Sequence, residues 1–294
     1  MSNDKGSNAR KVTVLSLREK KTRGERITML TAYDYPTALA LDQAEIDVAL
    51  VGDSLGMVVL GYPNTLPVTM EDMLHHCKAV ARGISSAHLV VDMPFMSYQV
   101  GVGEAVRNAG RFLQEGGAEA VKLEGGRERA TVIRAIVSCG IPVMGHLGVT
   151  PQSVHRLGGY KPQGKSADAA KRILEDARIL EDCGCYALVL EVIPDRLASL
   201  VTKKIGIPTL GIGAGGGCDG QVLVSHDLLG IYSGCSPKFV KKFTDFHGEM
   251  VRAFSRYREE VLGGSYPAPE HSQTIDDRTY EELLSLLDGK ANAE

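Results

Sequence analysis

Long apolar runs are missing from this sequence. Apolar residues make up 44% of its 294 positions, yet no run approaches the roughly 18 residues that cross a bilayer, so a membrane-spanning protein is excluded and a soluble one expected. Segment 1–11 is polar and mixed in charge, without the apolar h-region of a secretory signal, which makes the cytoplasm the expected compartment. Six cysteines, at 77, 139, 183, 185, 218 and 235, form no Cys-x-x-Cys pair. A chain of this length needs no disulfide staples, so they read as reduced, mostly buried thiols. Basic charge is not in excess either: a net charge of -3 gives no field for a polyanion, and small molecules are expected as partners rather than nucleic acid. No Walker loop, G-x-S-x-G elbow or metal-binding histidine pair appears.

What is present is one pattern written repeatedly. Val48-Ala49-Leu50-Val51 runs into Gly52-Asp53-Ser54, so an apolar, β-branched stretch stops at a turn bearing a carboxylate and a hydroxyl. The run at 88–95 carries Asp92, that at 120–124 carries Lys122 and Glu124, that at 141–147 carries His146, and that at 186–193 carries Glu191. Polar groups at the carboxyl ends of successive buried parallel strands converge on one face, where α/β barrels and open α/β sheets build their sites.

Strands at 27–32, 207–213 and 221–224 complete a set of eight, with helical segments between most of them. Eight favours a closed (β/α)8 barrel over a doubly wound sheet. Pro36 marks one helix start, Thr69 and Ser166 cap two others, and the segment at 13–21 is expected to pack across one end of the core. Two long segments, 55–68 and 148–165, follow strand ends and read as loops over the site. A polar-faced helix from about 236 to 262 would close the barrel, leaving a peripheral tail at 263–294. One domain, 1–294, is expected.

Asp53, Asp92 and Glu124 offer only hard oxygen donors, which suit Mg²⁺ or Mn²⁺ better than Zn²⁺ and leave positions for water and substrate; the alternative is that each merely caps backbone. Glu191 lies among apolar neighbours, where partial burial raises a carboxyl pKa towards that of a general base, unless a nearby cation pairs with it. Lys122 either pairs with a substrate carboxylate or forms a Schiff base, the latter disfavoured beside acids that keep the amine protonated. His146 either hydrogen-bonds a substrate oxygen or is structural. Gly211-Ile212-Gly213-Ala214-Gly215-Gly216 matches a dinucleotide fingerprint in letters only, because a strand follows where a helix should open. It reads as a tight loop that lets backbone approach a ligand, or as a cramped link between strands.

The segments Gly52-Asp53-Ser54-Leu55-Gly56-Met57-Val58, Val91-Asp92-Met93-Pro94-Phe95, Lys122-Leu123-Glu124-Gly125-Gly126, Gly145-His146-Leu147-Gly148, Thr150-Pro151-Gln152-Ser153 and Cys218-Asp219-Gly220-Gln221 together resemble the ketopantoate hydroxymethyltransferase family over about 10–270. That resemblance implies a (β/α)8 TIM barrel of the phosphoenolpyruvate/pyruvate type. It also implies transfer of a one-carbon unit from 5,10-methylenetetrahydrofolate to 3-methyl-2-oxobutanoate for pantothenate synthesis, through a metal-stabilised enolate. By the same resemblance Mg²⁺ is held at Asp53, Asp92 and Glu124, the keto acid is contacted at Ser54 and Lys122, and Glu191 is the base. With the residue-level reading of His146 the expected substrate-binding set is Asp53, Ser54, Asp92, Lys122 and His146. A homo-oligomer, up to a decamer, is implied too. The competing enzyme is another Mg²⁺-dependent 2-oxo acid lyase or mutase on the same barrel, and the non-enzymatic alternative is a barrel-based small-molecule sensor.

Overall fold

The computed structural model describes residues 10–232, 234 and 237–291, so Cys235, Ser236 and residues 1–9 of the polar segment lie outside the described residues. Eight parallel strands, β1 (Ile27–Thr31), β2 (Val48–Val51), β3 (His88–Asp92), β4 (Ala120–Glu124), β5 (Val143–Gly148), β6 (Ala187–Glu191), β7 (Thr209–Ile212) and β8 (Gly220–Leu223), pair in chain order. β1 pairs with β8 through Met29 opposite Val222, which closes the barrel. Beyond the ladder Ser225 adds a backbone N–H to Thr31 Oγ1 at 2.8 Å. The ladders stop up to three residues short of the apolar runs in the sequence. At β2 the reason is local: Leu55–Val58 forms a helical turn directly after Gly52-Asp53-Ser54.

Because side chains alternate along a strand, each β-strand feeds two cores. Val48, Leu50, Val90, Ala120, Met144, Val189 and Leu210 point inward and pack the barrel interior. Ala49, Val51, Leu89, Val91, Val121, Leu123 and Leu188 point outward into the layer shared with the helices. Helix Val14–Arg23 crosses the amino-terminal end as the sequence predicts: Leu17 joins the inner core, and Lys21 Nζ reaches Asp219 Oδ2 at 2.8 Å. Helices Met70–Ala81 and Ala167–Asp182 are capped by Thr69 and Ser166 as expected, Thr69 in a reciprocal box with Asp72.

The chain divides into two compact units, Met1–Thr244 and Asp245–Glu294. The long helix foreseen from about 236 begins ten residues later, at Phe246, capped by the Asp245 carboxylate, and none of its side chains is buried. Among the described residues no helix is long and apolar enough to cross a membrane.

Candidate active site

The alternation that fills the barrel also aims its chemistry. Two residues beyond inward Val90 comes Asp92; two beyond Ala120 comes Lys122 and then Glu124; two beyond Met144 comes His146; two beyond Val189 comes Glu191. Strand register sets the neighbours, Asp92 beside Lys122 and Glu124 beside His146. The carboxylate of Asp92 pairs with the Lys122 ammonium through Oδ1, while its Oδ2 accepts the backbone N–H of Asp53 at 3.1 Å. Asp53 is out of phase with β2 and enters through the Gly52 turn. A Cβ at Gly52 would stand 2.8 Å from Ser54 Oγ and 3.4 Å from Asp92 Oδ2, so glycine keeps that space open for the acids. Ser54 Oγ in turn is held by the Tyr33 hydroxyl at 2.8 Å.

Asp53, Asp92, Lys122, Glu124 and His146 are all buried, each at most 5% exposed. Three acids face one ammonium, and the imbalance is visible. Burial, reinforced by the charge of Asp92, raises the Asp53 carboxyl to about 7. Burial and then Asp53 drive Glu124 well above the ordinary carboxyl value. At Lys122 burial opposes the charge, but Asp92, Glu124 and Asp53 outweigh it and hold the amine above its usual pKa. A protonated amine is a poor imine-forming nucleophile, and the Lys122 ammonium is paired with Asp92. Glu191 is partly exposed, and its Oε2 lies 3.2 Å from His146 Nε2, while His146 Nδ1 lies 3.6 Å from Glu124 Oε1. Despite these distances neither ring nitrogen makes a well-aimed hydrogen bond among the described residues. Both ring nitrogens are thus buried and without a hydrogen-bond partner among the described residues.

Among the described residues no three His, Cys, Asp or Glu side chains form a ready metal cage. Asp53, Asp92 and Glu124 lie at neighbouring strand ends and are hard oxygen donors of the kind that fit Mg²⁺ or Mn²⁺. A cavity of about 320 Å³ opens beside them, lined by Phe95, Tyr98, Glu124, Arg129 and Gln152 among others. The larger neighbouring cleft, about 760 Å³, contains none of these acids. The two long loops meet over the mouth, where Tyr160 Oη lies 3.9 Å from Met57 Sδ. Burial and the charges of Asp53, Glu191 and Glu124 raise the Tyr160 phenol, which places that side chain in the field of the acids. The glycine-rich turn after β7 has the plainer of its two roles: Cβ atoms at Gly215 and Gly217 would stand 2.5 and 2.7 Å from Asp195 Cβ and Ser199 Cβ, so the turn packs on helix Asp195–Lys204.

A family model described as ketopantoate hydroxymethyltransferase matches residues 11–269. The chain belongs to the ketopantoate hydroxymethyltransferase family. It is 58% identical over 266 residues to the 3-methyl-2-oxobutanoate hydroxymethyltransferase of Syntrophus aciditrophicus (strain SB), covering 90% of this chain and 98% of that one. It is also 55% identical over 273 residues to the protein of that name from Enterococcus faecalis (strain ATCC 700802 / V583), covering 93% and 99%. Among solved structures, a phosphonopyruvate hydrolase complexed with oxalate and Mg⁺⁺ superposes with a TM-score of 0.60 at 14% identity, over 95% of this chain and 96% of that one. A 2,3-dimethylmalate lyase, described as a PEP mutase/isocitrate lyase superfamily member, gives 0.56 at 17%, over 96% and 98%. These two show the fold, a TIM barrel of the expected type. Hydroxymethyl transfer to 3-methyl-2-oxobutanoate, a step of pantothenate biosynthesis, is the activity of the ketopantoate hydroxymethyltransferases and of this member.

Every site residue that the sequence singles out in this ketopantoate hydroxymethyltransferase lies at the carboxyl end of the barrel. Sequence reasoning missed Tyr98, in the loop after β3, and Gln152, in the 3-10 turn Pro151–Ser153, which hold Glu124 and Asp53 from outside the strands. Gln152 stands inside one of the family-like segments, but no spacing rule marks it. Gly148 is a second supporting position: its φ is +104°, and a Cβ there would lie 2.1 Å from the Glu191 carbonyl oxygen. Gly148→Ala is therefore expected to displace the end of β6, lowering turnover at least tenfold while melting falls by only a few degrees, the scale of about 1–3 kcal/mol of local strain. Steady-state kinetics beside a thermal melt check this, and unchanged turnover would show that the backbone of Glu191 is not held by this contact.

Proposed function

We propose that the transferred one-carbon unit comes from 5,10-methylenetetrahydrofolate and that Asp53, Asp92 and Glu124 hold a divalent cation, Mg²⁺, at the barrel mouth. The observation that carries this reading is the excess of three buried acids over the single ammonium of Lys122, with a separate, partly exposed carboxylate, Glu191, 3.2 Å from the His146 ring. When bound, the cation supplies Lewis-acid polarisation of the 2-oxo acid. Ser54 and Lys122 bind the keto acid beside Asp53 and Asp92, Lys122 by opposing its carboxylate. His146 turns its free ring nitrogen to a substrate oxygen. Glu191 takes the proton from the branched carbon, and the electron pair left there attacks the methylene carried by the folate. The methylene's two bonds to folate nitrogen are replaced by the new C–C bond and a C–O bond to a water molecule, and the proton from the carbon and one from that water end on the nitrogens of the departing tetrahydrofolate. The long loops at 55–68 and 148–165, touching through Tyr160 and Met57, keep water from the carbanionic carbon.

Five free cysteines among the described residues fit a reducing cytoplasm. A homo-oligomer, up to a decamer, fits the exposed Val251, Phe254, Tyr257 and Leu262, and sedimentation measures its mass. The deciding experiment incubates the protein with 3-methyl-2-oxobutanoate, with and without Mg²⁺ and 5,10-methylenetetrahydrofolate. 2-Dehydropantoate is expected only when both are present. Cleavage or rearrangement of the keto acid without folate would instead make the chain a lyase or mutase, and folate-dependent product in full yield after chelation would remove the metal.

A further inference from the structure

We infer that Tyr98 and Gln152 are positioning residues that fix the aim of the Asp53 and Glu124 carboxylates from outside the strands. The inference rests on the metal reading above and extends it to residues to which neither the strand pattern nor the family resemblance assigns a role. Gln152 is 7% exposed and all of its amide capacity is used. Its Nε2 donates to Asp53 Oδ2 and to the Met93 carbonyl, both at 2.9 Å. Its Oε1 accepts from the Tyr98 hydroxyl at 2.6 Å and from Gln99 Nε2 at 3.3 Å. Its backbone N–H donates to Glu124 Oε2 at 3.0 Å. One residue thus grips an acid after β2 and an acid ending β4.

The direction of the amide follows from Tyr98. The phenol oxygen accepts the backbone N–H of Glu124 at 3.2 Å, so its own proton is free for Gln152 Oε1. With that proton on Oε1, the amide cannot flip, and its N–H groups must face Asp53 and the Met93 carbonyl. The chain of bonds runs one way, from the Glu124 backbone through Tyr98 and Gln152 to the Asp53 carboxylate. It leaves the other oxygen of Asp53, Oδ1, without a hydrogen bond from Gln152, turned to whatever sits at the centre. Partners that orient ligands in this manner commonly matter about 10–100-fold in metal affinity.

The test is Mn²⁺ binding by the full chain without substrate, followed by electron paramagnetic resonance, with circular dichroism and a thermal melt as folding controls. Tyr98→Phe keeps the ring and removes the hydroxyl, both the proton that orients the amide and the acceptor of the Glu124 N–H; Gln152→Ala removes the grip. Both are expected to stay folded at 25 °C and to bind Mn²⁺ about 10–100-fold more weakly than wild type, Gln152→Ala more than Tyr98→Phe. Gln163→Ala, which cuts a bond from the same loop to the Lys161 carbonyl, should leave affinity unchanged. Wild-type affinity in folded Tyr98→Phe and Gln152→Ala would overturn the inference, as would an equal loss in Gln163→Ala, which would mean a loosened loop. If Gln152→Ala fails to fold, Tyr98→Phe alone decides. Failure of the wild type itself to bind Mn²⁺ would instead sink the metal reading and this inference with it, so the two failures are told apart by the wild-type measurement.

Discussion

Glu191→Gln should leave a folded protein that binds metal and keto acid almost as before but loses turnover by about 10²–10⁴, the usual consequence of removing a general base. The structure explains why little else should change. The main chain at 191 is pinned independently of the side chain, with Val149 N–H donating to the Glu191 carbonyl at 2.9 Å. An amide of the same shape can still meet His146, whose Nε2 stands 3.2 Å from the present carboxylate. The readout that isolates the step is wash-out of deuterium from the branched carbon of labelled 3-methyl-2-oxobutanoate in the presence of Mg²⁺. It should fall in parallel with turnover. Wash-out at the wild-type rate in the glutamine variant would move the base elsewhere in the site.

The second large effect is expected from Asp92→Asn, which strikes affinity and stability together. Asp92 serves two partners at once, the Lys122 ammonium and the Asp53 backbone N–H, one through each oxygen. Asparagine has only one carbonyl oxygen, so either the ammonium or the N–H loses its acceptor. Breaking a buried pair from one side costs about 3–5 kcal/mol. Because Asp53 and Glu124 still face Lys122, the loss should fall at the lower end of that range, and a denaturant titration should register it. Activity at low Mg²⁺ should nearly vanish, and excess Mg²⁺ should restore part of it. Full activity at low metal would show that the acid on β3 is not a ligand.

Asp92, Lys122, Glu124, His146 and Glu191 were legible in the sequence because a strand repeats every two residues. Once Val90, Ala120, Met144 and Val189 are inward, the polar residues two positions on must point to the same mouth. Asp53 was legible for another reason, a glycine turn ending an apolar run. Tyr98 and Gln152 were not legible, since one lies in a loop and the other in a single 3-10 turn, neither with a repeat whose period relates a residue to its direction, and the partners that tie them to the acids are 26 to 99 residues away. Boundaries suffered from the same cause. The apolar runs continue past the last ladder bond because residues beyond the strand ends, such as Met93 and Ile193, remain buried, and the helix expected from about 236 starts at Phe246, where Asp245 caps it.

The bridging by Gln152 also bears on how the barrel assembles. Asp53 and Asp92 are joined across 39 residues, and Asp53 and Gln152 across 99, so no hairpin or single βα unit can bring the acids together and neutralise them. A chain that has reached β4 carries all three acids without the Gln152 amide that bonds to Asp53. The mutual repulsion is therefore present as soon as β2, β3 and β4 pair, and Gln152 eases it only when the segment after β5 docks. Contacts of such sequence separation slow folding because loop entropy is spent before they form. The charge crowding of the site thus weighs on the β2–β4 part of the barrel before the ring closes, and the bond from Gln152 is among the contacts that relieve it.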